Sequence, residues 1–293
     1  MSNQTVSGES SAPEVPHTSA PPTIAAGPNV AAAGSADNRP APQISLVIPT
    51  RNESGNIDRL VAEIGDSFDG FAIEIVFVDD SDDDTVAVVE RAKSAGSLPI
   101  QIIHRPAEER AGGLGTAVAR GLNASRAPWA LVMDADLQHP PTAARDVASA
   151  ALERDVDLVI GSRYVGKGAA DGLSPVRQLM SSGARVLAKA LFPHRLSSVS
   201  DPLSGMFAVR LRAVDLHRLQ PSGFKILVEI LLSQPPLRIG EVGYRFAERE
   251  QGESKASSGE MGAYLRLLIR RRLQVLSQQR SSRPLPDHLP VGS

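Results

Sequence analysis

Two carboxylates one residue apart, Asp134-Ala135-Asp136, stand directly after the apolar run Trp129 to Met133, and Gln138 follows two residues on. Carboxylates at i and i+2 just past a strand can both reach one hard cation. Mg2+ and Mn2+ take oxygen ligands and are usually held by one or two carboxylates plus substrate phosphates. A lone D-x-D is also how a solvated acidic turn reads; its place at the end of a strand is what points to a site. A second cluster, Asp79-Asp80-Ser81-Asp82-Asp83-Asp84-Thr85, holds five acids in seven residues. Like charges that dense repel unless a cation or a hydroxyl-rich ligand is near. An exposed turn and a helix start account for Asp82 to Asp84, which leaves Asp80, nearest the strand, as the better ligand contact. Gly112-Gly113-Leu114-Gly115-Thr116 opens a helix and could approach a phosphate closely. It is neither a Walker A loop nor a dinucleotide fingerprint.

These groups need elements to position them. Ile44 to Ile48, ended by Pro49, reads as a buried strand, and Ile57, Leu60, Val61, Ile64 and Phe68 recur at helical spacing after it. Ile73 to Val78 is a second strand, Thr85 to Ala95 a helix, and Ile100 to His104 a third strand. Gly115 to Ser125 is a helix, Trp129 to Met133 a fourth strand, Ala143 to Arg154 a helix, and Asp157 to Gly161 a fifth strand. Alternating strands and helices, with strands apolar on both faces, predict an α/β fold with a mostly parallel sheet and helices on both sides. Charge then collects at one edge: Arg51 and Glu53 after the first strand, Asp79 and Asp80 after the second, Asp134 and Asp136 after the fourth, Arg163 after the fifth. Ligands of open α/β sheets bind outside that carboxyl edge.

Composition narrows the classes. The 293 residues carry 31 basic and 33 acidic side chains, a net charge of −2, which does not suit a nucleic-acid binder, and 4% aromatics leave little for base stacking. No cysteine is present, so disulfides, thiolate zinc sites and a cysteine nucleophile are excluded. Residues 1–43, rich in Ala, Pro, Ser and Gly, lack the apolar residues to offset chain entropy and read as a disordered tail. Residues 44–277 form the folded body and 278–293 a flexible end. No run approaches the roughly 20 apolar residues of a membrane span. Leu173 to Phe192, interspersed with Arg177, Arg185 and Lys189, and Tyr264 to Leu276, with Arg270-Arg271-Arg272, read instead as basic amphipathic helices fit for a membrane interface. Phe224 to Leu232 reads as core, with Lys225 and Glu229 as a same-face pair. His104, His139 and His194 have no partner by spacing and read as structural.

The blocks Pro49-Thr50-Arg51-Asn52-Glu53, Val78-Asp79-Asp80, Gly113-Leu114-Gly115 and Met133 to Pro140 together resemble family 2 glycosyltransferases. Gly161-Ser162-Arg163-Tyr164, Asp201 to Phe207, Gly223 to Glu229 and Arg249 to Lys255 resemble, more narrowly, the dolichol-phosphate (polyprenol-phosphate) mannosyltransferases. That resemblance implies a GT-A fold and transfer of mannose from GDP-mannose to a polyprenyl phosphate, the sugar inverting from α to β. It implies that Pro49, Arg51, Glu53, Val78 and Asp80 line the guanosine pocket. Asp134 and Asp136 would hold Mg2+ or Mn2+, supported by Gln138, with the Ala135 backbone near the nucleotide. Arg163, Arg249 and Lys255 would face the diphosphate, sugar or acceptor phosphate, with Asp136, Arg163 and Arg249 as catalytic residues. Arg177 and Ser181 would meet the acceptor phosphate. Arg51 replaces the aromatic usual in the first block; a guanidinium can stack on a base or bind phosphate.

A nucleoside diphosphate leaving group develops negative charge, which a cation and fixed arginines would stabilise. The nucleophile, a phosphate monoester, is already ionised, so neither a Ser–His pair nor a covalent intermediate is expected. The resemblance places the chain at the cytoplasmic face of a membrane as a peripheral protein, and leaves room for a separate membrane-anchoring subunit. The main rival is a relative using a UDP-sugar such as UDP-glucose, or another acceptor; a lipid-bound non-catalytic scaffold and a nucleotidyltransferase are weaker rivals. A processive polysaccharide synthase is disfavoured because Gln-x-x-Arg-Trp is missing, Trp129 being the only tryptophan.

Overall fold

The structure is a computed structural model that describes residues 40–166, 175–220, 225–247 and 258–281, without side-chain detail for 175–181, 258–261, 263 and 275–281. Its elements, in chain order, are β1 (Ile44–Thr50), α1 (Ser54–Ser67), β2 (Ile73–Asp79), α2 (Thr85–Ser94), β3 (Ile100–His104), α3 (Leu114–Ala124), β4 (Trp129–Val132), α4 (Pro141–Glu153) and β5 (Leu158–Ser162). They continue with α5 (Pro175–Leu191), α6 (Pro193–Leu196), β6 (Phe207–Arg210), α7 (Ile226–Ser233), β7 (Ile239–Gly243) and α8 (Ser258–Ser281).

The strands form one sheet in the order β3-β2-β1-β4-β6-β5-β7. All pairs are parallel except those of β6, which runs antiparallel between β4 and β5. The mostly parallel α/β sheet expected from the sequence is therefore present, but β6 and β7 extend it beyond the five strands legible as apolar runs. α8 continues to Ser281, past the expected limit of the folded body at residue 277.

Alternation along the central strands builds three layers. Ile44, Leu46 and Ile48 of β1 join Ile57, Leu60 and Ile64 of α1, Val88 and Val89 of α2, and Val147 and Ala151 of α4. Val47 faces the other way, with Val118 and Leu122 of α3 and residues of α5 to α8. Gly121 lets α3 close onto that face, since a Cβ there would stand 2.3 Å from Val47 Cγ1. Pro49 sits inside a central strand without harm. Met133 N–H, bonded to Val47 O at 3.2 Å, makes the last rung to β4, so the proline's missing donor falls where β4 has turned away.

Candidate active site

β1 and β4 lie side by side, while the chain leaving β1 passes outward to β2 and then β3 on the other side. Their carboxyl ends thus flank a topological switch point, where open α/β sheets bind ligands. The Asp134-Ala135-Asp136 loop begins two residues past this β4 end. Asp134 is 39% exposed at its side chain, whereas Asp136 is buried at 7%. Gln138 N–H donates to Asp136 Oδ1 at 3.1 Å, and Asp134 N–H donates to His139 Nδ1 at 3.0 Å. Between them Leu137 adopts φ +60°, a left-handed conformation that a leucine holds only when its surroundings impose it.

The end of β2 is laced to the neighbouring strand ends. Asp79, fully buried, accepts from Thr50 Oγ1 at 2.7 Å, Ser81 Oγ at 2.6 Å and Ser81 N–H at 3.1 Å, and pairs with His104 Nδ1 at 2.7 Å. Asp80 forms a two-pronged pair with Arg105, Nε to Oδ1 at 2.7 Å and Nη2 to Oδ2 at 2.6 Å. Arg105 also donates to Thr116 Oγ1 and Gly113 O, so the glycine-rich helix start serves here to seat this arginine. Arg110 bonds Asp82 at 2.6 Å and holds its exposed carboxyl below the usual range. Asn52, with φ +55°, accepts from Asp82 N–H through its side chain, while its own N–H reaches Ser81 Oγ. The Glu53 N–H donates to Thr85 Oγ1, and its carboxylate accepts from Asn56. Arg51 is exposed and Glu53 half-buried at this edge. Pro49 and Val78 are buried in the sheet, so a ligand would meet them through backbone.

At the end of β5, Arg163 grips Asp201, Nε to Oδ2 at 2.8 Å and Nη2 to Oδ1 at 3.0 Å. Burial disfavours the Arg163 charge, but the Asp201 carboxylate more than compensates and pushes the guanidinium's pKa up. Arg163 also lies 5.7 Å from the rings of Tyr164 and Phe246. Its charge is thus turned to a buried carboxylate. Nearby, Arg185 of α5 stacks 4.0 Å over Tyr164. Gln138 binds the chain beyond β7 twice: its Nε2 donates to Ala247 O at 3.2 Å, and its carbonyl accepts from Ala247 N–H at 3.0 Å. The D-A-D loop is thereby fastened to the segment that continues toward Arg249.

The structure brings Arg51, Glu53, Asp80, Asp134, Ala135, Asp136, Gln138 and Arg163 to one sheet edge. Arg249 and Lys255 lie outside the described residues; Arg177 and Ser181 fall on α5, where side chains are not described. Sequence reading missed Arg105, Asp201 and the partners of His104 and His139. Arg105 carried a signal, since it directly follows β3 and obeys the same strand-end rule as Arg51 and Arg163. Glu229, expected beside Lys225, is fully buried and bonded to Arg271 of α8 and Gln220 N–H.

The donor set fits a hard divalent cation. Asp134 and Asp136 offer carboxylate oxygens, and the Nδ1 of the adjacent imidazole is occupied by a backbone N–H. Among the described residues no cluster of three or more His, Cys, Asp and Glu could cage a metal. Two carboxylates leave coordination positions for substrate phosphates, as Mg2+ and Mn2+ prefer.

Residues 45–216 match the family described as glycosyl transferase family 2. The chain is 37% identical over 229 residues to a dolichol-phosphate mannosyltransferase of Pyrococcus furiosus, an alignment spanning 78% of this chain and 63% of that protein. It is 35% identical over 240 residues to the dolichol-phosphate mannosyltransferase of Mycosarcoma maydis, spanning 78% of each. Among solved structures, glucosyl-3-phosphoglycerate synthase of Mycobacterium tuberculosis, in complex with Mn2+, UDP and glucosyl-3-phosphoglycerate, superposes with a TM-score of 0.55 and 25% identity, covering 80% of this chain and 79% of that one.

Proposed function

Because the chain belongs to glycosyl transferase family 2, we propose that it transfers mannose from GDP-mannose to a polyprenyl phosphate, giving polyprenyl phosphate β-mannose. The observation that carries this reading is the D-A-D loop at the β1/β4 switch point, fastened through Gln138 to the chain that leads to Arg249. The names of the curated relatives support the sugar and the lipid phosphate.

Arg51 and Glu53 would meet the nucleoside, with Asp80 held in place by Arg105. Asp134 and Asp136 would hold Mg2+ or Mn2+, which when bound supplies Lewis-acid stabilisation to a departing diphosphate. Arg249 and Lys255 add fixed positive charge for the same oxygens. Arg163, committed to Asp201, is a positioning residue that keeps the end of β5 and the Phe246 ring together. Arg177 and Ser181 orient the acceptor phosphate. That nucleophile attacks C1 in line as the sugar–diphosphate bond breaks, so the anomeric centre inverts and no residue needs to remove a proton.

A lipid acceptor requires contact with a bilayer. No helix among the described residues is long and apolar enough to cross one. Val186 and Leu187 of α5 and Leu265, Ile269 and Leu273 of α8 are exposed, and Arg266, Arg270 and Arg272 accompany the α8 stripe. We assign this face to peripheral contact with the cytoplasmic side of a membrane, with or without a separate anchoring subunit.

The second reading is a UDP-sugar donor, favoured by the likeness to a UDP-binding synthase. One assay separates the two: purified protein with labelled GDP-mannose or UDP-glucose and short polyprenyl phosphates, with and without metal. Metal-dependent mannose transfer that Asp136→Ala abolishes is the expected result. Transfer by Asp136→Ala at the wild-type rate defeats the metal assignment, and transfer from UDP-glucose alone replaces the donor.

A further inference from the structure

The carboxylates of the D-A-D loop do not fix their own geometry. The loop contains a leucine at φ +60°, and Asp134 keeps a partly exposed side chain. His139 holds the Asp134 backbone. The imidazole is buried at 1% and takes the Asp134 N–H on Nδ1 at 3.0 Å, so Nδ1 carries the lone pair and the ring proton sits on Nε2. The same Nδ1 stands 3.5 Å from Asp134 Oδ2 but, as an acceptor, gives that oxygen no hydrogen bond, so the ring acts on the carboxylate through the backbone N–H it holds.

The ring is itself held from three sides. Tyr244 and Phe246 pack against it in T-shaped geometry, with centroids 5.8 and 5.4 Å from the imidazole. Gly205 closes the third side. A Cβ on Gly205 would stand 2.8 Å from His139 Cε1 and 3.1 Å from Asp134 Oδ2, so only glycine leaves ring and carboxylate where they are. Tyr244 and Phe246 belong to the chain just after β7, the same chain that Gln138 binds at Ala247.

We infer that His139 is a positioning residue for the divalent cation: by accepting the Asp134 N–H it aims the Asp134 carboxylate, and through Tyr244 and Phe246 it ties that aim to the segment beyond β7. This rests on the metal reading of the D-A-D loop. Hydrogen-bonded partners behind metal ligands typically change metal affinity by about 10–100-fold when removed.

The test measures Mn2+ binding rather than turnover. Free Mn2+ is counted by its paramagnetic resonance signal during titration, with GDP and, in a parallel series, with UDP. His139→Leu fills the space without an acceptor, whereas His139→Asn offers an amide oxygen near the position of Nδ1. His139→Leu is expected to weaken Mn2+ binding about tenfold or more, with a thermal midpoint close to wild type, and His139→Asn to restore most of the affinity. Wild-type affinity in His139→Leu overturns the inference. So does an equal loss in both variants that follows a fall in thermal midpoint, because that is a packing role. Asp136→Ala separates the levels: unchanged Mn2+ affinity there sinks the metal reading itself. Loss in Asp136→Ala but not in His139→Leu sinks only the role given to His139.

Discussion

Replacing Asp201 with alanine isolates the buried pair beneath the β5 end. Arg163 is 9% exposed and Asp201 is fully buried, and three bonds join them: two from the guanidinium and one from the Arg163 backbone N–H at 3.3 Å. Removing one member of such a pair strands the other charge, at about 3–5 kcal/mol. The rings of Tyr164 and Phe246 near the guanidinium recover part of this, so the lower half of the range is expected. For a domain of this size each kcal/mol moves the thermal midpoint by about 2–4 °C. Asp201→Ala should then melt roughly 6–15 °C below wild type. Replacing both partners, as Arg163→Met with Asp201→Leu, should restore most of that loss, because apolar side chains of similar volume replace buried pairs at little cost. The sign of the pH dependence follows from Arg163. Its folded pKa is raised, so its contribution is fully present below the unfolded arginine value, far above neutrality, and is lost only as pH rises beyond it. The Asp201→Ala deficit should therefore be flat from pH 6 to 9. Thermal and urea unfolding of the three proteins measure it. A shift under about 2 °C for Asp201→Ala, or a double variant as unstable as the single, would refute the assignment of Arg163 to a positioning role.

Gly121→Ala should cost about 1–3 kcal/mol by overpacking α3 against β1, since the new methyl would meet Val47 Cγ1 at 2.3 Å and Val78 Cγ2 at 3.2 Å; adding Val47→Ala should recover part of the loss in urea unfolding. Glu229→Gln should loosen α8 by roughly 3 kcal/mol, because the Arg271 guanidinium loses its buried counter-charge. Limited trypsin digestion should then cut faster at Arg266 to Arg272, and unchanged cleavage would mean that α8 is held by Tyr264, Leu267 and Leu268 alone. Ile269→Glu with Leu273→Glu, both about 60% exposed in the wild type, should leave the thermal midpoint unchanged and reduce sedimentation with anionic vesicles at least severalfold; undiminished binding would remove α8 from the membrane face.

The parts of this molecule legible in sequence are those whose cause is local. β1 to β5 announce themselves because each is a short apolar run halted by a proline or a charge, and the D-A-D loop is legible because its two acids share one turn. β6 is four residues long, and its pairing with β4 and β5 is set by distant chain. β7, Ile-Gly-Glu-Val-Gly, is only half-buried and carries two glycines, which hides it from any apolar pattern. The same divide runs through the charges. Arg105 and Asp80 are 25 residues apart and Arg163 and Asp201 38 apart, separations that no spacing rule connects. Glu229 illustrates why. A helical i,i+4 neighbour stabilises an exposed acid by only a few tenths of a kcal/mol, whereas a fully buried carboxylate must be matched by a charge buried with it, and Arg271, 42 residues on, supplies it. Applied to the whole sheet edge, this selection has a consequence for function. Asp79, Asp80 and Asp201 are each buried against a partner from another strand end, while the Asp134 side chain remains 39% exposed. Of these carboxylates, Asp134 is therefore the one whose side chain solvent reaches most, which is the exposure the proposed cation role calls for.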